Sequence, residues 1–216
     1  MSDHPRIVLA TGGTGGHVYP AQALAEALLT AGAAVSVITD RRGAGFGGGV
    51  DSHAIAAATL AGGFGARISG ATTIAFGICQ ARRALQRLKP AAVIGFGGYP
   101  SFPTMLAASW AGIPTLMHEQ NAVLGRANRL VAGQVDALAT SFAEVRFIRP
   151  VDQAKTVQTG NPVRPAFAAL RDAAFAAPVA DGPLVILVLG GSQGARVFSR
   201  VLPGALAPLP PASGAR

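Results

Sequence analysis

The chain has 216 residues, which is enough for one or two domains with a substantial core. Half of the residues are apolar and only 13% are charged, which excludes an intrinsically disordered protein. Lys and Arg number 18 against 10 Asp and Glu, a net charge of +8 that favours an anionic substrate or an anionic surface as partner. The single cysteine, Cys79, excludes an intramolecular disulfide.

Short apolar runs alternate with helical runs along most of the chain. The predicted strands span residues 6–10, 34–39, 53–60, 91–96, 115–118 and 137–140. The predicted helices span residues 20–31, 72–89, 103–111 and 125–132. Strands and helices that alternate along most of this order predict an α/β fold, with a parallel sheet covered by helices on both faces.

One long stretch, residues 90–117, carries no charged residue and has the length of a membrane span. Seven glycines and prolines interrupt it, however, and these residues divide it into a strand, a turn, a helix and a strand. The N-terminal residues do not show the pattern of a secretory signal peptide. We therefore expect a protein that stays in the cytoplasm.

The composition changes after residue 149. Residues 149–165 contain three prolines around a short predicted strand at 156–158, which indicates a connection between domains. A very apolar strand at 184–189 then leads through a glycine turn to a helix from about residue 195. One strand and one helix cannot form a core. We expect a Rossmann-like domain over residues 1–160 and, over 161–216, a connection and only the beginning of a second such domain.

Three predicted strands end in a glycine turn that opens a helix, at residues 12–16, 95–98 and 190–194. Glycine lets a ligand approach the backbone and a helix N-terminus offers free N–H groups, so such turns bind phosphate. The first turn does not fit the dinucleotide fingerprint, which requires glycine where Val18 stands, and the chain has no Gly-Lys-Ser/Thr. For each turn, the alternative is a tight connection without a ligand.

Several polar residues follow these turns and strands. His17 comes directly after the first turn, where it is a candidate general base. His118, Glu119, Gln120 and Asn121 close a predicted strand at the same sheet edge. The alternative for His17 is a polar residue at a helix start that has no catalytic role. The alternative for residues 118–121 is a hydrophilic loop.

The histidines are far apart in the sequence and no Asp-x-Asp pair occurs, so we expect no metal site and no cofactor. A metal-free reaction, in which backbone N–H groups and arginine stabilise a leaving diphosphate, fits this sequence better. Arg164 is a candidate for that contact, or for a contact between domains. Its alternative is a solvated arginine.

Basic residues cluster off the apolar side of the predicted helix 72–89. They are Arg82, Arg83, Arg87 and Lys89. With Phe76 and Trp110, they are a candidate patch for an anionic membrane surface, and the alternative is a solvated helix face. We expect no nucleic-acid partner, because aromatic residues are few and no nucleic-acid-binding motif occurs.

Five segments occur in an order that resembles a known family: ATGGTGGHVYPAQALAEAL, GFGGYPSFP, HEQNAVLGRANRL, TGNPVR and LGGSQGAR. Together they resemble the MurG family of peptidoglycan N-acetylglucosaminyltransferases, which has the GT-B fold of two Rossmann-like domains. The resemblance implies transfer of N-acetylglucosamine from UDP-N-acetylglucosamine to lipid I, the undecaprenyl-pyrophosphoryl muramoyl-pentapeptide, giving lipid II. It further implies inversion at the anomeric carbon, no metal, and an enzyme bound peripherally to the cytoplasmic side of the bacterial inner membrane.

The resemblance also implies roles for individual residues. His17 matches the suspected general base. Six residues match the family's contacts to the donor: Thr14, Gly15, Gly16, Asn121, Arg164 and Ser192. Three residues of the second glycine turn match the loop proposed to hold the acceptor pyrophosphate: Gly97, Gly98 and Tyr99.

The family's second domain continues well beyond the point reached at Arg216, and its uracil pocket lies there. We therefore expect residues 1–216 alone to bind UDP-N-acetylglucosamine weakly and to show no transfer. Two alternatives stay open: a module that binds a lipid pyrophosphate without turnover, and a GT-B enzyme with another lipid acceptor such as diacylglycerol. The HEQN and GGSQGA segments favour lipid II synthesis over that other acceptor.

Overall fold

The computed structural model describes residues 4–13, 15–40, 46, 50–58, 63–179, 182, 186–190 and 195–207. The chain divides into two compact units, Met1–Ala168 and Ala169–Arg216. The first unit contains the sheet. The second contains one helix, within the part that the structure describes.

The first unit is built on a seven-stranded parallel sheet. Its strands are β1 (Arg6–Ala10), β2 (Ala34–Thr39), β3 (Asp51–Ala54), β4 (Ala92–Gly95), β5 (Thr115–Glu119), β6 (Ala137–Thr140) and β7 (Thr156–Gln158). Their spatial order is β3-β2-β1-β4-β5-β6-β7, and every pairing is parallel. In the centre, Leu9 of β1 lies opposite Val37 of β2 and Ile94 of β4. The predicted α/β fold is confirmed.

Helices connect these strands. They are α1 (Gly15–Thr30), α2 (Phe64–Leu88), α3 (Ser101–Trp110) and α4 (Arg126–Val131), followed by a 3-10 helix over Pro150–Lys155 and a short α5 (Pro165–Ala168). Helix α2 ends because Lys89 adopts the left-handed conformation (φ 47°) while its N–H still bonds Leu85 O, and Pro90 follows.

The core lies on both faces of the sheet because side chains alternate along each strand. Val8 and Ala10 of β1 pack with apolar residues of α2, α3 and α4. Leu9, between them, points to the other face and packs with Ala21 and Ala25 of α1. Helices α1 and α3 therefore cover opposite faces of the sheet.

Two helices begin earlier than the sequence predicts. Helix α1 starts at Gly15 rather than residue 20, and α2 starts at Phe64 rather than residue 72. Both starts contain residues that are typical of turns. Gly15 and Gly16 form the first turn of α1, Pro20 lies inside α1, and Gly65 follows the first residue of α2. The third strand is also shorter than predicted, ending at Ala54.

The uncharged stretch 90–117 forms β4, α3 and β5, as predicted. Among the residues that the structure describes, no helix is both long and apolar enough to cross a bilayer.

The segment 149–165 is only partly a connection. Strand β7 pairs with β6, Leu138 lying opposite Thr156, so this strand completes the first sheet. The first compact unit extends to Ala168, and the predicted domain boundary at residue 160 stays a prediction.

The second unit contains α6 (Arg196–Leu206), close to the predicted helix start. Residues 186–190 form no strand, so the predicted strand at 184–189 is wrong over its described part, and residues 184 and 185 lie outside the described residues. A strand requires a hydrogen-bonded neighbour, and the described residues of this unit provide none. None of those residues is buried.

A buried aspartate holds the chain before β7. Asp152 is 2% exposed and accepts hydrogen bonds from Arg149 Nε at 2.6 Å and Arg149 Nη2 at 3.1 Å. Lys155 Nζ lies 3.2 Å from Oδ1, the oxygen that also accepts from Arg149 Nη2. The hydrogen bonds from Arg149 hold the pKa of the Asp152 carboxyl below its ordinary value.

Replacing this carboxylate should destabilise the protein in a pH-dependent way. We expect Asp152→Asn to lower the free energy of unfolding by about 1.5–3 kcal/mol at pH 7, because a charged acceptor is lost. A depressed pKa stabilises the fold above the ordinary carboxyl pKa of about 4, and this stabilisation is lost as pH falls through the folded-state pKa. Urea unfolding of the variant and the parent chain at pH 7 and pH 3 measures the loss of stability and its pH dependence. At pH 3 the two free energies of unfolding should approach each other.

Asp172→Asn, at an exposed aspartate, is the matched control and should change little. An equal loss for Asp152→Asn at both pH values would show that shape, not charge, makes this aspartate important.

Candidate active site

A cavity of about 720 Å³ lies outside the carboxyl ends of the central strands. The strand order reverses between β1 and β4, and in open α/β sheets ligands bind at this point. The turns after β1, β4 and β5 contribute most of the walls. The lining residues are Gly12, Gly13, His17, Ala57, Ala58, Gly98, Tyr99, Pro100, Glu119, Asn121, Gly125, Arg126, Ala127 and Asn128.

The two glycine turns pack directly against each other. Gly98 has a positive φ of 76°, and a Cβ built on it would lie 2.9 Å from Gly12 O. A Cβ on Gly12 would lie 2.7 Å from the Pro100 Cβ. Gly13, with φ of 87°, faces open space. Glycine is therefore needed at positions 12 and 98 for packing, so a larger residue at Gly98 would disturb the fold before it reported on a ligand.

The ring of His17 is held from one side. Its Nδ1 lies 2.9 Å from Phe96 O and 3.1 Å from Gln120 Oε1. Both partners are acceptors, so Nδ1 carries the proton and donates, and Nε2 keeps its lone pair. His17 is half-buried and lines the cavity beside Gly98. This arrangement offers Nε2 as a proton acceptor.

A second histidine lies behind the first. His118 is 4% exposed, and its Nε2 donates to Gly160 O at 2.9 Å. Its Nδ1 accepts from Gln120 Nε2 at 3.1 Å. Burial lowers the pKa of His118, outweighing the raising effects of the Gly160 carbonyl and of Glu119. His118 is therefore neutral near pH 7, as its acceptor role at Nδ1 requires.

Glu119 organises the loop after β5. Its side chain is 2% exposed and accepts only from N–H donors. These are Asn121 N at 3.0 Å, Asn121 Nδ2 at 2.9 Å, Gly125 N at 2.8 Å and Asn128 Nδ2 at 2.8 Å. Gly125 precedes α4, so the carboxylate joins the end of β5 to the start of that helix.

Asn128 extends this arrangement to the second glycine turn. A Cβ on Gly97, whose φ is 85°, would lie 2.9 Å from Asn128 Oδ1. The turn after β4 therefore rests on a side chain that Glu119 orients.

The same carboxylate orients Asn121, which is exposed at the cavity. Its Nδ2 donates one N–H to Glu119 at 2.9 Å, which leaves Oδ1 as an acceptor and the second N–H as a donor for a ligand.

The structure brings together four of the predicted site residues: His17, Gly98, Tyr99 and Asn121. Gly97 adjoins them. Gly15 and Gly16 form the first turn of α1 without lining the cavity.

Of the other three predicted residues, the structure describes Arg164, which does not line the cavity. The Arg164 guanidinium lies over the Tyr19 ring, 4.4 Å from its centroid, and 4.9 Å from that of Phe167. Thr14 and Ser192 lie outside the described residues, as does most of the third glycine turn. The ligand roles of all these residues stay predictions.

Sequence reasoning missed how Glu119, Gln120, Asn128 and Arg126 contribute. The first two stand in the HEQN segment and the others in GRANRL, so their neighbourhood was noticed but their roles were not. Arg126, exposed at the cavity, adds a positive charge that suits an anionic ligand. Among the described residues, no three His, Cys, Asp or Glu side chains converge as around a metal ion.

The fold and the cavity define a Rossmann-like α/β domain of the GT-B type. The family model described as the Glycosyltransferase family 28 N-terminal domain matches residues 7–140. That match covers more than half of the chain, so the chain belongs to glycosyltransferase family 28.

Curated relatives narrow the comparison. The chain is 56% identical over 212 residues to the UDP-N-acetylglucosamine--N-acetylmuramyl-(pentapeptide) pyrophosphoryl-undecaprenol N-acetylglucosamine transferase of Paramagnetospirillum magneticum. It is 54% identical over 207 residues to the enzyme of the same name from Rhodospirillum centenum. These matches cover 96% and 94% of this chain but 57% and 55% of the relatives, so the chain spans little more than half their length.

Solved structures agree with this placement. Acinetobacter baumannii MurG matches 95% of this chain and 56% of its own, with a TM-score of 0.71 and 30% identity. The resemblance to the MurG family is thereby confirmed. A UDP-N-acetylglucosamine 2-epimerase from Rickettsia bellii, at 15% identity, covers 77% of this chain and 47% of its own with a TM-score of 0.56, and shares the fold alone.

The role of Glu119 can be tested on stability. We expect Glu119→Gln to lower the free energy of unfolding by about 2–4 kcal/mol, because an amide NH₂ would face buried N–H donors and leave them without an acceptor. Urea unfolding of the variant and parent chains measures the difference. Glu144→Gln, the same change at an exposed glutamate, is the control and should stay within about 0.5 kcal/mol. A Glu119→Gln chain as stable as the parent would refute the organising role.

Proposed function

We propose that this chain supplies the acceptor-binding half of an N-acetylglucosaminyltransferase that makes lipid II for peptidoglycan. The substrates are UDP-N-acetylglucosamine as donor and lipid I as acceptor. The observation that carries the proposal is a cavity at the β1/β4 reversal, with a proton-accepting histidine at its edge, in a chain 56% identical to a transferase of that name.

The proposed reaction is a single displacement. His17 Nε2 takes the proton of the acceptor hydroxyl while its oxygen bonds to the anomeric carbon of N-acetylglucosamine. The bond from that carbon to the diphosphate breaks, and UDP leaves with the electron pair. Attack from the opposite side inverts the anomeric configuration. Phe96 O and Gln120 Oε1 stabilise the imidazolium that forms, because both accept from Nδ1–H.

The acceptor pyrophosphate is proposed to bind at the second glycine turn, among Gly97, Gly98 and Tyr99. The first turns of α1 and α3 contain no acidic residue, so the potential there favours anions. Arg126 adds a positive side chain at the same cavity. Asn121 Oδ1 is proposed to accept from the donor sugar.

Donor binding has less support within this chain. Thr14, Gly15, Gly16, Arg164 and Ser192 stay proposed donor contacts. Tyr19 holds the Arg164 guanidinium by a cation–π contact next to α1, where it can approach a diphosphate.

A second candidate is a module that binds the lipid pyrophosphate without turnover. The described residues that line the cavity lie within residues 12–128, which supports binding by the first unit alone. Transfer assays discriminate between the two functions.

A chimera tests the catalytic proposal. This chain would replace the matching 212-residue segment of the Paramagnetospirillum magneticum relative. We expect the chimera to convert lipid I to lipid II and His17→Ala within it to lower kcat by about 10²–10⁴-fold, as for a lost general base. A radiolabelled transfer assay measures both rates.

His4→Ala, at an exposed histidine near Gly32, is the control and should keep full activity. If the His17→Ala chimera folds like the parent chimera and its kcat lies within threefold of the parent value, the base role is refuted. A chimera that binds lipid I but never transfers sugar would favour the binding module.

We also propose that α2 docks the enzyme on the anionic cytoplasmic surface of the inner membrane. This 25-residue helix contains four arginines and no acidic residue. Arg82, Arg83, Arg87 and Lys89 are all exposed. Phe76 and Trp110 are 56% and 60% exposed and supply apolar surface. A basic and apolar face of this kind favours peripheral binding to anionic lipid.

Vesicle cosedimentation of the 216-residue chain tests this docking. Each basic residue at an anionic surface contributes about 1 kcal/mol, so Arg82, Arg83 and Arg87 changed together to Gln should weaken binding roughly 100-fold. Binding should also require anionic phospholipid and fall with salt. Changing Arg171, Arg196 and Arg200 to Gln removes the same charge from the second unit and is the control. Equal effects of the two triple variants would contradict the α2 patch.

A further inference from the structure

A chain of hydrogen bonds connects the candidate base to the buried histidine through one amide. Gln120 Oε1 accepts from His17 Nδ1 at 3.1 Å, and Gln120 Nε2 donates to His118 Nδ1 at 3.1 Å. His118 Nε2 then donates to Gly160 O at 2.9 Å. The connected residues come from α1, from β5 and the loop after it, and from the segment after β7.

We infer that Gln120 is a positioning residue for His17: it holds the imidazole as the Nδ1–H tautomer, so that Nε2 faces the cavity as the proton acceptor. The inference deepens the proposed function and rests on it for the importance of Nε2. The tautomer itself is a property of the chain, whether or not transfer occurs.

The need for such a residue follows from imidazole chemistry. In water the Nε2–H tautomer of a histidine side chain predominates, and in that form Nε2 cannot take a proton. A general base at Nε2 therefore needs acceptors at Nδ1. Phe96 O supplies one and Gln120 Oε1 supplies the other.

The orientation of the Gln120 amide is itself fixed from behind. Gly160 O can only accept, so His118 carries its proton on Nε2 and presents a lone pair at Nδ1. That lone pair requires the NH₂ end of Gln120, which also donates to His118 O at 3.2 Å. The Oε1 end is then directed to His17. The Gly160 carbonyl thus acts through two side chains, alongside Phe96 O, to favour the tautomer that leaves Nε2 of His17 free.

Nuclear magnetic resonance of the imidazole nitrogens tests the inference on the 216-residue chain. Spectra of the uniformly ¹⁵N-labelled chain are recorded at a pH of about 8.5, well above the ordinary histidine pKa of about 6.5. We expect opposite tautomers: Nδ1–H for His17 and Nε2–H for His118. We also expect a ¹⁵N–¹⁵N coupling across the hydrogen bond from Gln120 Nε2 to His118 Nδ1. An Nε2–H tautomer at His17, or no such coupling, would overturn the inference without any variant.

Two substitutions at Gln120 separate the amide's functions. Gln120→Met has a similar shape but no hydrogen bond, and should raise the Nε2–H share of His17 by about fivefold, as for one lost hydrogen bond of about 1 kcal/mol. Gln120→Glu keeps an acceptor and should leave His17 as Nδ1–H, while His118 loses its N–H donor. Gln153→Met, at an exposed glutamine, should change neither histidine.

An unchanged His17 tautomer in Gln120→Met would show that Phe96 O suffices, and would overturn the inference. The same shift in Gln120→Glu as in Gln120→Met would assign the effect to packing, with the same consequence. The kcat of the His17→Ala chimera reports separately on the base role, so the two hypotheses can fail independently.

Discussion

The position of β1 beside β4 is the constraint on which the site depends. Helix α1 leaves β1 for one face of the sheet, and α3, after the turn that follows β4, packs on the other. The two chain segments therefore separate at the carboxyl ends of neighbouring strands and leave a cavity between them. Each turn has to be narrow, because Gly12 and Gly98 touch across the reversal.

Buried polar groups hold in place the loops that form the cavity walls. Glu119 is nearly inaccessible to solvent yet surrounded by N–H donors, so its burial is compensated by hydrogen bonds. Glu119 also orients Asn121 at the cavity and sets Asn128 against the turn at Gly97. Gln120, which bonds His118, contacts His17 instead. Four consecutive residues at the end of β5 and just after it thus organise both the second glycine turn and the candidate base.

Much of the fold could be predicted from the sequence. The strands Arg6–Ala10, Ala34–Thr39 and Ala137–Thr140 were predicted at their observed bounds, since buried parallel strands are continuous apolar runs. The starts of α1 and α2 were missed because Gly15, Gly16 and Gly65 are helical, although glycine usually marks a turn. The strand at 184–189 failed over its described residues because apolar composition cannot supply a neighbouring strand.

The candidate site was predicted in part, for a similar reason. Glycine turns and His17 are visible as local patterns, and the structure places His17, Gly98, Tyr99 and Asn121 around one cavity. The contact between His17 and Gln120 joins residues 103 positions apart, so no local pattern predicts it.

We expect a pyrophosphate to bind at the β1/β4 reversal, and a titration followed by amide chemical shifts measures this binding. The probe is a soluble short-chain polyprenyl pyrophosphate added to the ¹⁵N-labelled chain. The largest shifts should occur at Gly12, Gly13, Gly98, Tyr99 and Arg126, with little change at the separate groove beside His53 and Arg87. Shifts concentrated at that groove, or spread over the arginines of α2 alone, would contradict this expectation.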